Sequence, residues 1–136
     1  MSASSPPSFL PSEERGLPAW QIWVTFIAAA LASFVASMAE MRQVGQVWLD
    51  CEMDSAGMGF GFVIFHLPVL FFGQTALVGA VATAAMAVVR PRPRAVLLAV
   101  TVGLGVLILC AFMYFTFNGL PVSNQFCRTP QPTWWP

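Results

Sequence analysis

Three long apolar runs, separated by short polar stretches, organise this chain. The first, residues 20–38, carries no charged side chain. As a helix it would be roughly 28 Å long, close to the hydrocarbon thickness of a bilayer. Trp20 and Trp23 open the run, where amphipathic rings favour the headgroup level. The second run, residues 57–89, would give a helix of about 50 Å, too long to cross upright. Pro68 divides it and leaves two readings. Either the span starts near Pro68, with 57–65 as an interfacial or re-entrant approach, or one helix over about 60–89 is tilted and kinked at the proline. The third run, 95–117, is uncharged and stops at Asn118-Gly119. This pattern predicts an all-α integral membrane fold with three transmembrane helices.

Between the runs the chain changes character. Residues 39–56 hold Glu40, Arg42, Asp50, Cys51, Glu52 and Asp54, which predicts a polar connection. Arg90-Pro91-Arg92-Pro93-Arg94 predicts a tight turn whose guanidinium groups keep it out of lipid. Residues 1–19 are rich in Pro and Ser and bury too little to order themselves, so a flexible tail is expected. Residues 118–136 form a second tail, rich in Pro and ending Trp134-Trp135-Pro136. Ser37-Met38-Ala39 has the small residues of a signal-peptidase site, yet the apolar run is long and Glu13-Glu14 replaces a basic leader. An uncleaved anchor is the expectation.

Composition supports the lipid reading. Of 136 residues, 57% are hydrophobic and only 9% charged, against about 25% charged in an ordinary soluble domain. Net charge is zero and every basic residue is Arg, so no basic surface suits a nucleic acid. Arg without Lys, beside abundant Ala, Val and Gly, suits a GC-rich bacterial genome, and an inner or plasma membrane location follows. Arginine placement gives the orientation. With three spans, the N-terminus and the turn holding Arg90, Arg92 and Arg94 share one side, expected to be cytoplasmic. The 39–56 connection and the C-terminus then lie outside.

That orientation puts Cys51 and Cys127 in one compartment, where a disulfide would tie the connection to the C-terminal tail. Such a bridge would contribute about 2–4 kcal/mol. No Cys-x-x-Cys pair suggests redox catalysis, and Cys110 is expected to pack as a small apolar residue. Asp50, Cys51, Glu52 and Asp54 crowd together with His66 near the same face, but their spacing matches no metal-ligand pattern. No metal and no cofactor is assigned. His66 is expected at the interface, and Gln74 and Thr75 deeper, bonding to a neighbouring helix or backbone. Glu40 is placed just beyond the first span, too shallow to act within the membrane.

Small residues supply the remaining signals. Ala28, Ala32 and Ala36 recur every fourth residue, flanked by Ala29, Ser33 and Ser37, and such a stripe lets a second helix approach. The second run grades from Phe60, Phe62, Phe65, Phe71 and Phe72 to alanines near the arginine turn, predicting closer packing at that end. Three function classes remain. The favoured one is a non-enzymatic accessory, assembly or structural component contacting lipid and other membrane subunits, or its own copies. A small oligomeric transporter or channel is the alternative, lacking an ionisable group at mid-depth. A membrane enzyme using His66, Asp50 or Cys51 ranks last, with no nucleophile, base and orienting group in recognisable array.

Overall fold

The computed structural model describes residues 16–50, 58–89 and 91–118, and these residues are almost wholly helical. Helix α1 spans Ala19–Asp50 and α2 Met58–Gly61. A π-helical stretch, Phe62–His66, leads directly into α3, Leu67–Val88, and α4 spans Arg92–Phe117. Three helices are long and apolar enough to cross a membrane: Ala19–Trp48, Val63–Val88 and Arg92–Phe117.

The first helix corrects the expected boundary. It does not stop at Met38; residues 39–50, read as part of a polar connection, continue it to Asp50. Strong helix formers occupy 39–43, and no proline interrupts them. Met41, Val44, Val47 and Trp48 recur at helical spacing and turn inward, while Arg42 and Gln46 are exposed. Val44 and Val47 join Tyr114 and Phe115 of α4 in a buried apolar cluster, with Met41, Trp48, Leu70 and Ala111 packed against it. At 32 residues α1 is about 48 Å long, well beyond a 30 Å hydrocarbon core. Its last turns are therefore held by packing on α4.

The second run resolves into one continuous helical path from Met58 to Val88. Residues 58–65 are helical and join α3 directly, in keeping with the single-helix reading of the two. The distortion falls where chemistry requires it. Pro68 has no N–H to give the carbonyl of Ile64, and its ring presses on that carbonyl; the wider π turn just before it relieves both. The third run matches its expected end at Phe117, and α4 begins within the arginine turn at Arg92, with Pro91 as N-cap.

Helix α3 lies between α1 and α4, which meet each other much less. Small side chains make both seams possible. On α1 the buried row is Ala29, Ser33 and Ser37, whereas Ala28 and Ala32 face outward and Ala36 is half-buried. Of two adjacent small stripes, the one with hydroxyls is the contact face. Ala82 of α3 and Ala95, Ala99 and Gly103 of α4 are buried. A Cβ at Gly103 would stand 3.4 Å from Val78. Gly79 is tighter: a Cβ there would come within 2.6 Å of the Phe26 ring, so the ring of α1 rests directly on the α3 backbone. Towards the other end Phe34 meets Phe71 edge-on at 6.2 Å, and Phe71 meets Phe72 at 5.1 Å. Outward faces are mostly apolar, with Leu31, Val35, Phe72 and Ile108 each about two-thirds exposed (66–70%). That surface suits contact with lipid chains.

Substitution of Gly79 tests the seam. Gly79→Val should lower thermal stability in detergent by about 1–3 kcal/mol, the usual penalty for overpacking. Adding Phe26→Ala should recover part of the loss. Gly105→Val, where a Cβ meets nothing within 4 Å, should be close to neutral.

Candidate functional site

The polar groups of the bundle gather where α1 crosses α3. Ser33, Ser37 and Glu40 continue the inward face of α1, and Gln74 is the buried polar residue opposite them on α3. The Gln74 amide donates from Nε2 to both carboxylate oxygens of Glu40, at 2.9 and 2.8 Å. Its carbonyl end accepts from the Ser37 hydroxyl at 3.3 Å. With Glu40 ionised the carboxylate accepts only, and the NH₂ facing it is the matching donor. Glu40 is 4% exposed, Gln74 2%, and Ser37 is fully buried, so none of the three can exchange these bonds freely for water. The Ser33 hydroxyl, one turn from Ser37, is buried with no hydrogen-bond partner, as is that of Thr75 beside Gln74.

Helix lengths set the depth of this cluster. Gln74 lies roughly 21 Å along α3 from Val88. On α4, the distance from Arg94 to Tyr114 is roughly 30 Å, one hydrocarbon thickness. Glu40 and Gln74 therefore fall within the candidate spans Ala19–Trp48 and Val63–Val88, in the part farther from Arg92 and Arg94. The apolar cluster of Val44, Val47, Tyr114 and Phe115 lies beyond them towards the opposite end. This overturns the placement of Glu40 outside the first span. Charge content had suggested a loop; the spacing of Glu40, Val44 and Val47 with Ser33 and Ser37 was the signal that they share one helix face.

A second polar contact marks the opposite end. His66 Nδ1 and the Tyr114 hydroxyl are 3.0 Å apart, and the rings meet edge-on at 5.8 Å. The contact joins the π stretch to α4, close to where the hydrocarbon region should end. Other hydroxyls are spent locally. Thr83, Thr101 and Thr116 each donate to the carbonyl four residues earlier, at 2.7, 2.9 and 2.9 Å.

The remaining sequence candidates are dispersed. Arg92 and Arg94 are exposed at the start of α4, far from Glu40. Asp50 ends α1, and Cys110 is a half-buried free thiol on α4. Cys51, Glu52, Asp54, Arg90 and Cys127 lie outside the described residues, and so does the expected disulfide. Among the described residues no three His, Cys, Asp or Glu side chains gather as metal ligands. No protein-family model matches the chain, and no curated protein or solved structure shows a significant likeness to it. What the cluster can do is set by its own geometry: it clamps α1 to α3, and its carboxyl is the one acidic group on the buried seam.

A variant series separates the clamp from its parts. Gln74→Leu leaves the Glu40 carboxyl without its donor and should cost about 1–3 kcal/mol of stability in detergent. Glu40→Gln, which can still pair with Gln74, should cost less than about 1 kcal/mol, in line with hydrogen bonds between membrane helices. The double variant Glu40→Leu with Gln74→Leu should be more stable than Gln74→Leu alone, because neither polar group is stranded. With Glu40→Leu added as the second single variant, thermal unfolding of the parent, the two Leu variants and their double gives the coupling directly.

Proposed function

We propose that the chain is a multi-pass membrane protein acting as a non-enzymatic accessory, assembly or structural component that contacts other membrane helices. The orientation we favour puts the N-terminus and the Arg90–Arg94 turn in the cytoplasm and the C-terminus outside, in a bacterial inner membrane. One observation supports this function above the rest: the buried side chains of Ser37, Glu40 and Gln74 bond one another across the α1–α3 seam. An enzyme site would aim nucleophile, base and orienting group at a reachable space. Here Ser37, Glu40 and Gln74 are consumed in holding two helices in register, and what the long helices present outward is largely apolar.

The Glu40 carboxyl favours one competing reading, a small oligomeric transporter. Such a protein needs an ionisable group inside the membrane, and Glu40 supplies it. A proton or small cation would still have to pass the Val44, Val47, Tyr114 and Phe115 cluster to arrive from the opposite end.

Purification from the native membrane in mild detergent, with identification of the subunits, tests the proposal. The expected result is a stoichiometric complex with another membrane protein, recovered equally with the Glu40→Gln variant. A pure homo-oligomer that carries protons or sodium ions into vesicles, and loses that flux with Glu40→Gln, would overturn it in favour of transport.

A further inference from the structure

The arginine end of the bundle holds a cleft that the polar seam does not touch. Because α3 separates α1 from α4, the start of α1 and the start of α4 leave a gap of about 540 Å³ between them, backed by the end of α3. This volume lies in the ordinary range for small-ligand sites. The lining changes character along its length. Trp20 and Gln21 at the start of α1 and Arg92 at the start of α4 line it together with Leu17, Pro18, Val89 and Pro91; Val24 and Val96 line it about one turn further along their helices, with Met86 of α3. Thr25 also faces the cleft, but its hydroxyl is already given to the Gln21 carbonyl at 2.7 Å, so it offers no free donor there. The cationic and polar groups of the lining are all at the helix starts, and only apolar side chains and Thr25 follow one turn further along, which is the order of groups along a phospholipid.

We propose that this cleft binds one anionic glycerophospholipid, its phosphate paired with Arg92 and its upper acyl chain lying along Val24, Met86 and Val96. Charge selects the headgroup. The described acidic residues, Glu40 and Asp50, are both in the far half of α1, so no described carboxylate competes at the rim. The guanidinium offers several N–H donors to phosphate oxygens. Basic pockets between membrane helices take anionic headgroups by this chemistry. Trp20, 63% exposed, stands where its indole can meet the glycerol level. Glu13 and Glu14, close before Gly16 in the sequence, lie outside the described residues and are carried into the test as controls.

Native mass spectrometry of the purified full chain tests the proposal. The protein in non-ionic detergent is offered equal amounts of phosphatidylglycerol and phosphatidylcholine with the same acyl chains. Phosphatidylglycerol should be retained several-fold more. Arg92→Gln should bring the ratio close to one, whereas Arg42→Gln, at the opposite end, should leave it unchanged. Val96→Trp, which fills the apolar part of the cleft, should lower phosphatidylglycerol retention with Arg92 intact. Glu13→Gln with Glu14→Gln should leave the preference unchanged or raise it. Equal retention of the two lipids by the parent chain would overturn the assignment, as would a preference that survives Arg92→Gln. Displacement of the lipid by excess inorganic phosphate would also overturn it, since a bare anion site needs no acyl chain.

Discussion

A carboxyl group taken into a lipid-spanning bundle must find its partner within the protein, and that constraint organises the α1–α3 seam. Glu40 has no water to turn to at 4% exposure. Gln74 answers with its amide hydrogens, and Ser37 satisfies the amide's other end. Apolar contacts alone would let α1 slide along α3, because lipid chains solvate Leu and Ala about as well as a neighbouring helix does. The amide–carboxyl pair removes that freedom. It fixes which turn of α1 meets which turn of α3, so Phe26 falls on Gly79 and Phe34 on Phe71.

The same register explains the long tail of α1. With Glu40 held against Gln74, the residues after it emerge beside the end of α4. There Val44 and Val47 find Tyr114 and Phe115. Near the water boundary, burial regains a hydrophobic driving force that it lacks among lipid chains, on the order of 1.5–3 kcal/mol for a fully buried Val-sized side chain. The lower half is held by close backbone approach, the middle by hydrogen bonds, and the far end by apolar burial. Each device suits the solvent at its own depth.

The fold was legible wherever lipid imposes a simple rule. Three uncharged apolar runs, a turn of Arg and Pro, and a stop at Asn118 locate the helices because the bilayer core tolerates little else. The rule weakens at the edges. Residues 39–50 look like a loop by charge, yet their apolar positions keep the period of a helix that packs on α4. Likewise, alanines on two adjacent faces of α1 gave no reason to choose between them. Gln74 was recognised as a residue that should bond to a neighbour. Its partner was not, because a contact between positions 40 and 74 depends on how two helices cross, and no local pattern encodes that.

Sparse internal burial follows from the same physics. A soluble three-helix bundle must hide apolar surface to be stable, so its helices touch along broad faces. Here α4 is the most apolar of the three candidate spans, with a mean hydropathy of 2.8, and only 11% of its window is buried. That combination would aggregate in water; in a membrane it leaves α4 free to face lipid or another subunit along most of its length. Polar side chains are the costly items in such a setting, so their number stays small and their positions carry most of the specificity. One clamp on the α1–α3 seam and one His–Tyr contact at the boundary suffice to align three helices, because close approach of small residues has already limited the alternatives to a few turns.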